Sequence, residues 1–173
     1  MKQLAKAIII TLVLLAGSAS VFAQATATAT ASATVVTPIS ITKVTDMNFG
    51  NVAVSALLAG TATLTPLGSR SAGGAGGVTL PAILGTVAAA TFLVTGQANY
   101  TYSITLPSSS TLSDGSGHSM TVTGFTSSPS ATGTLSILGV QTLSVGATLN
   151  LAAGQAAHAY TSASGVPVTV NYN

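Results

Sequence analysis

The sequence predicts an all-β protein whose strands pack as an antiparallel β-sandwich. Three observations carry this prediction. Helix signals are nearly absent after Ala23, because the chain is rich in Thr, Val, Ser and Gly and carries six spaced prolines. Several runs alternate apolar and polar residues at period two, which is typical of half-buried strands. Turn signals separate these runs at short intervals, as they do in β-sandwiches.

The first 23 residues are interpreted as a secretory signal peptide. Lys2 and Lys6 form a basic start, the apolar run 7–16 follows, and small residues lead to Ala23. The apolar run has about ten residues, which is short of the roughly 20 that span a bilayer. We therefore expect cleavage after Ala23 and a secreted chain in the periplasm, on the cell surface or outside the cell. A retained membrane anchor is the alternative; after cleavage we expect no membrane span.

Charged side chains are rare, since they make up 3% of the residues while apolar ones make up 47%. Without the first 23 residues, Lys43 and Arg70 balance Asp46 and Asp114, and the formal net charge is zero. No basic patch remains, which argues against nucleic acid and anionic lipid as partners. The sequence has no cysteine, which excludes disulfides and thiolate nucleophiles.

The expected strands follow along the chain after residue 23. Period-two alternation marks the runs 25–30, 47–54, 61–65, 91–95, 99–106, 119–125, 141–145, 157–162 and 166–172. Turns are expected at 71–77, 113–117 and 127–133, where Gly, Pro and Asp-Gly concentrate. We assign residues 37–173 to the sandwich and residues 24–36 to an Ala/Thr-rich strand or extension.

No catalytic, metal or cofactor site is expected, and the protein is interpreted as not an enzyme. Asp114, Ser116 and His118 lie in one Gly-rich turn, whereas the members of a catalytic triad come from separate elements. His158 is the other histidine, and two histidines without nearby carboxylates fall short of a zinc or iron site. The Gly-rich run 72–77 lacks the lysine of a phosphate-binding loop.

The two ends of the chain after residue 23 offer main-chain edges for pairing. Residues 24–34 alternate Ala and Thr, whose side chains are too small to build a core. Residues 166–172 alternate apolar and polar. A terminal strand left unpaired on one side would tend to pair with another chain. The simplest pairing is β-augmentation, in which an extended segment fills a sheet edge. The alternative is that both ends are ordinary strands of one self-contained sandwich.

Two segments resemble secreted proteins that assemble at bacterial surfaces. The segment 46–52, which contains Asn48, Phe49 and Gly50, resembles a segment early in spore-coat-U-like proteins and archaic chaperone-usher pilins. The segment 168–173 resembles their closing strand, which has an aromatic residue near its end.

The chain is also similar, over nearly all of residues 24–173, to a bacterial domain-of-unknown-function family of short secreted Ala/Thr-rich proteins. The shared features are the Ala/Thr-rich start, the segment 37–41, the Asn-Phe-Gly motif and the final strand.

These resemblances imply an incomplete immunoglobulin-like sandwich whose missing strand comes from the N-terminal extension of a neighbour. The implied donor-strand positions are Ala25, Ala27, Ala29, Ala31, Ala33 and Val35. The implied groove edge consists of Val166, Val168, Val170 and Tyr172. The implied partners are further copies in a homo-oligomer or filament, a periplasmic chaperone and an usher. We therefore expect a pilin-like, fimbrial structural subunit; the alternative is a monomeric secreted module that binds a glycan or another surface polymer.

Overall fold

The structure is a computed structural model that describes residues 24–173, and the expected signal peptide lies outside the described residues. The described chain is built from strands and turns. The strands are β1 (Ser40–Thr45), β2 (Asn48–Phe49), β3 (Ala53–Val54), β4 (Gly60–Leu64), β5 (Arg70–Gly73), β6 (Val78–Thr79), β7 (Val87–Ala88), β8 (Ala90–Thr95), β9 (Thr101–Thr105), β10 (Ser109–Ser113), β11 (Ser119–Ser128), β12 (Thr132–Thr134), β13 (Val140–Leu151) and β14 (Thr169–Tyr172). Between residues 24 and 173, no helix is long and apolar enough to cross a membrane.

The strands pair antiparallel throughout the described chain. One large sheet has the order β1-β8-β13-β11-β10, and β4 joins it by pairing with β13, while β5 pairs with β4. A smaller sheet has the order β12-β9-β14, and two short ribbons, β2-β7 and β3-β6, complete the pairing. The predicted antiparallel β-sandwich is confirmed.

The long strand β13 organises the large sheet because its partner changes halfway along one side. Residues 140–145 pair with β8, residues 147–151 pair with β4, and β11 runs along the opposite side. Gly146 lies at the point of exchange, where a Cβ atom would collide with the Leu64 carbonyl oxygen. A glycine is therefore needed for the chain that leaves β4 to pass so close.

Two apolar clusters fill the interior. The first includes Phe49, Leu64, Val122 and Leu149, and the ribbons supply part of it. The second lies between the large sheet and the smaller sheet, and its buried members are Ala90, Phe92, Val94, Tyr102, Leu135, Leu143, Val145 and Val170. Phe125 packs against both clusters.

Tyr102 is the largest side chain that is fully enclosed in the described chain. Its hydroxyl donates to Gln141 Oε1 at 2.8 Å, which satisfies the polar group. Burial raises the pKa of Tyr102, since the phenolate would be poorly solvated there. Tyr102 lies within the alternating run 99–106, whose pattern predicted a half-buried strand.

Several of the expected strands differ from the observed ones. The run 47–54 is divided into β2 and β3, because Gly50 has a φ of +66°. The run 99–106 becomes a strand only at Thr101, because Asn99 has a φ of +65°, which lies outside the extended region. The run 157–162 forms no strand and makes one isolated bridge, between Thr161 and Ser113.

The Ala/Thr strip, residues 24–35, was also expected to contain a strand at 25–30, and the structure has none there. All of its side chains are exposed, and that of Val35 is 95% exposed. Alanine and threonine bury little apolar surface, so the strip has no strong drive of its own to pack. Residues 36–173 form a compact unit in themselves.

Replacing Gly146 by alanine tests the crowding at the centre of β13. The added Cβ has no space beside the Leu64 carbonyl. Gly146→Ala is therefore expected to lower the free energy of unfolding by about 1–3 kcal/mol, which is the usual cost of overpacking. Urea denaturation followed by circular dichroism measures this change. Thr142→Ala, at an exposed position of the same strand, is the control, and equal stability of the two variants would contradict the crowding.

Candidate functional site

Two sheet edges lie side by side on one flank of the sandwich, and we call them the open edge. β14 pairs only with β9, and β1 pairs only with β8, among the strands between residues 24 and 173. β1 and β14 contact each other across the two sheets. Ile41 and Val168 are half-buried here and pack against the second cluster. An edge strand with free main-chain groups is a template for pairing with another chain.

The register of β14 shows which of its main-chain groups face outward. The Asn173 N–H donates to the Thr101 carbonyl, and Tyr172 stands opposite Tyr102. In an antiparallel pair, alternate residues direct both main-chain groups toward the partner strand or away from it. Val170 and Tyr172 therefore direct their N–H and C=O groups away from β9, toward the open side.

The Tyr172 hydroxyl bridges the open edge at one end. It accepts a hydrogen bond from the Gln97 N–H at 2.6 Å and donates one to the Thr37 carbonyl at 2.7 Å. Its ring meets Tyr100 edge to face, with the ring centroids 5.6 Å apart. A Cβ atom at Gly96 would collide with this hydroxyl, so the glycine leaves room for the bridge.

The expected groove-edge residues occupy two different environments. Val170 is buried and Tyr172 half-buried within β14, whereas Val166 and Val168 precede the strand. The strand begins at Thr169, later than expected, because Pro167 has no N–H to offer a ladder. Val168, Val170 and Tyr172 all pack on the second cluster. The apolar row therefore completes the core, and the open edge presents main chain.

The Asn48-Phe49-Gly50 motif consists of β2 and the first residue of the tight turn that leads to β3. Asn48 Oδ1 accepts a hydrogen bond from the Gly50 N–H at 2.8 Å, and the Phe49 ring is buried in the first cluster. Gly50 has a positive φ, and a Cβ there would collide with the Leu84 carbonyl. Each residue type of the motif thus has a structural reason at its position.

Arg70 holds this turn in place from β5. Its Nη1 donates to the carbonyls of Phe49 and of Asn51, the latter at 2.7 Å. Its Nε and Nη2 atoms are buried and have no hydrogen-bond partner among residues 24–173. Sequence reasoning missed this role, because the arginine lies about twenty residues from the carbonyls that it binds. By contrast, Lys43 pairs with Asp46 at 2.7 Å in an exposed position.

The β10–β11 turn brings together side chains that the sequence appeared to separate. Asp114 Oδ2 lies 2.6 Å from His118 Nδ1, and the His158 ring stacks on the His118 ring with centroids 5.5 Å apart. The expectation that the histidines lack a nearby carboxylate is wrong, because Asp114 and His118 pair within the turn and the long connection between β13 and β14 brings His158 beside them. The sequence separation of 40 residues between the two histidines concealed the contact.

Asp114 is the buried member of this group, with 2% of its side chain exposed. Its Oδ1 accepts hydrogen bonds from the Ser116 N–H at 2.7 Å and the His118 N–H at 3.1 Å. Desolvation raises the pKa of Asp114, but these hydrogen bonds and the His118 ring outweigh it and lower the pKa to about 2. The carboxylate is therefore ionised at neutral pH.

The fold and the open edge define the class as an antiparallel β-sandwich whose last strand, β14, is paired on one side only among the described residues. The model of a family described as a domain of unknown function, DUF4402, matches residues 39–172. That segment contains all the strands from β1 to β14, and the chain belongs to this family. The expected membership of a domain-of-unknown-function family is confirmed. No curated protein and no solved structure matches the chain.

Removing the Tyr172 hydroxyl tests the bridge across the open edge. Tyr172→Phe leaves the Thr37 carbonyl and the Gln97 N–H without their partner, and we expect a loss of about 1–2 kcal/mol in the free energy of unfolding. Tyr100→Phe is the matched control, because it also removes a tyrosine hydroxyl and keeps the ring, at a residue that is 44% exposed. Thermal unfolding of both variants measures the difference, and identical melting curves would argue against the bridge.

Replacing Arg70 by alanine tests its hold on the Asn-Phe-Gly turn. Two carbonyls lose a charged donor, and hydrogen bonds to charged groups contribute about 1.5–3 kcal/mol each, so we expect Arg70→Ala to cost at least about 2 kcal/mol. Lys43→Ala, which removes an exposed ion pair, is expected to cost less than about 1 kcal/mol. Chemical denaturation of the two variants gives the comparison, and a smaller loss for Arg70→Ala would contradict the assigned role.

Proposed function

We propose that this chain is a secreted, non-enzymatic structural subunit that assembles on the cell surface by β-strand addition. The Ala/Thr strip of one copy adds to the outward side of β14 in the next copy. The observation that carries the proposal is the presence of two features in one chain. One is an edge strand with outward main-chain groups at Val170 and Tyr172, and the other is an exposed strip that forms no strand.

The two edges differ in a way that favours β14 as the acceptor. β1 carries Lys43, and its register with β8 shifts between Lys43 and Thr45. An edge lysine and an irregular register are both features that discourage strand addition. β14 has the sequence Thr-Val-Asn-Tyr, with no charge, and keeps an unbroken register with β9.

The chemistry of the strip fits a shallow edge better than a deep groove. Val170 and Tyr172 already pack on the second cluster, so an added strand has few apolar pockets to fill. Affinity would then come from main-chain hydrogen bonds, which alternating Ala and Thr provide without steric obstruction. The eleven residues 24–34 span up to about 36 Å when extended, which exceeds the length of β14 several-fold.

Strand addition of this kind resembles the assembly of archaic chaperone-usher pilins and spore-coat-U-like proteins. On this proposal a periplasmic chaperone would cover β14 before assembly, and an usher would guide the exchange. The near absence of charge supports self-association, because little long-range repulsion keeps copies apart.

Proline substitutions in the strip test the proposal without altering the sandwich. Ala29→Pro with Ala31→Pro removes two N–H donors from the strip, so we expect assemblies to disappear while the melting temperature of the sandwich stays the same. Ala29→Val with Ala31→Val keeps the donors and is the matched control, which is expected to assemble. Size-exclusion chromatography with light scattering measures the mass, and electron microscopy detects filaments.

A synthetic peptide of residues 24–35 then locates the acceptor edge on the proline variant. Peptide binding should slow amide hydrogen exchange at Val170 and Tyr172, whose N–H groups face outward, more than at Asn171, whose N–H already faces β9. Assembly of the proline variant at wild-type level, or a wild-type chain that stays monomeric at high concentration, would contradict the proposal.

A secreted module that binds a glycan or another surface polymer is the second candidate. A cavity of about 440 Å³ beside β10 supports it, since its lining is rich in hydroxyl groups that suit polar ligands. Ser109, Ser110, Thr111, Ser113 and Ser164 supply these hydroxyls. A monomeric wild-type chain that binds a polysaccharide, and loses binding in Ser110→Ala, would favour this candidate over strand addition.

A further inference from the structure

We propose that Asp114, His118 and His158 form a binding site for a divalent transition-metal ion of the zinc class. Each residue offers one ligand atom, and these atoms all lie within 4.8 Å of one another. The ligands come from two separate segments, the β10–β11 turn and the connection between β13 and β14. The proposal does not depend on strand addition, because these residues belong neither to β14 nor to the Ala/Thr strip.

The two segments are fastened together on both sides of the three ligands. Next to Asp114, the main chains of Ser113 and Thr161 exchange two hydrogen bonds, at 2.9 and 3.0 Å. Next to His118, Gln155 Nε2 donates to the Ser119 carbonyl at 3.3 Å. His158 thus lies in a short stretch whose two ends are tied to the residues that flank the turn.

Hydrogen bonds also hold each of these segments in shape. The Tyr160 hydroxyl accepts from Gln155 Nε2 and donates to the Ala156 carbonyl, both at 2.9 Å, which closes the loop that carries His158. In the turn, Asp114 Oδ1 is engaged by main-chain N–H groups, while Oδ2 faces His118. Oδ2 is bonded to the His118 ring rather than to the main chain, and an ion that replaces this hydrogen bond would be bound by Oδ2 together with imidazole nitrogens.

Small side-chain movements bring the three donors to bonding distance. Zinc binds imidazole nitrogen and carboxylate oxygen at about 2.0–2.2 Å in tetrahedral geometry, so two ligand atoms of one ion lie roughly 3.4 Å apart. A separation of 4.8 Å, the outer limit among these three atoms, must therefore shrink by about 1.4 Å. The side chains of His118 and His158 are exposed, so changes in their torsion angles can bring the ligand atoms closer without displacing the buried core.

Side chains that can bind a metal ion are rare in this chain, so their clustering at one place supports the proposal. The sequence contains two histidines and two carboxylate side chains, and three of these four groups meet at this one place. Imidazole with carboxylate suits zinc, copper and nickel better than magnesium or calcium. Three protein ligands leave at least one position for water or for a group from another molecule. A bound ion would also crosslink the β10–β11 turn to the segment that leads into β14.

Titration with zinc tests the site. The untagged protein, in the form recovered from cells and dialysed against a chelator, is titrated with ZnCl₂ by isothermal calorimetry. We expect one saturable equivalent, together with a rise in melting temperature and shifts of the ring-nitrogen resonances of both histidines by NMR. Loss of one ligand should weaken binding at least tenfold, since even residues that only support metal ligands contribute about 10–100-fold.

His158→Ala and His158→Gln are the decisive variants, because the His158 ring makes only a stacking contact in the described chain and the metal-free variants should melt like the wild type. Asp46→Asn, which alters the other carboxylate, is the matched control and should bind zinc unchanged. Absence of saturable binding would overturn the proposal. So would equal affinity in the wild type and both His158 variants, or resonance shifts confined to one histidine.

Discussion

Main-chain pairing along β13 is the constraint on which the rest of the sandwich depends. This strand pairs with β8, β4 and β11, and the large sheet has no continuity without it. Its buried side chains contribute to both apolar clusters, with Leu143 and Val145 in one and Ala147 and Leu149 in the other. The exchange of partners at Gly146 therefore lets a single strand serve two halves of the core. On the β1 side of the open edge, β8 and β1 are attached to the rest of the large sheet through this strand.

The scarcity of charge shapes how the protein uses the few charged groups that it has. Arg70 is directed inward and holds main-chain carbonyls, which makes it a structural residue in spite of its charge. Asp114 likewise stabilises its own turn, because its Oδ1 accepts hydrogen bonds from the main-chain N–H groups of Ser116 and His118. Solvation falls to Thr, Ser and Asn, and these side chains leave main-chain edges uncovered. The surface therefore combines few charged groups with an uncovered strand edge.

The sequence was informative where one face of a strand is buried and the other is exposed. The alternation around Tyr102 and along β11 indicated strands that exist, because period-two burial leaves a visible pattern. β1 was not expected, because five of its six residues are exposed and its pattern carries no burial signal. The contact of His158 with the β10–β11 turn was equally hidden, because only tertiary pairing of Ser113 with Thr161 creates it. Local patterns therefore predicted the half-buried strands, whereas the candidate sites depend on contacts between segments that are distant in the sequence.

The position of β14 in chain order has a consequence for how the protein reaches its native state. β14 is the last of the strands, yet it pairs with β9, and Tyr172 bridges to Thr37, 135 residues earlier. Contacts of such long sequence separation are slow to form, because loop closure must precede them. Until β14 docks, Tyr102 and Leu143 lack one wall of their cluster. A chain in which β14 has not docked therefore leaves this apolar flank exposed to water, which is the condition that favours aggregation.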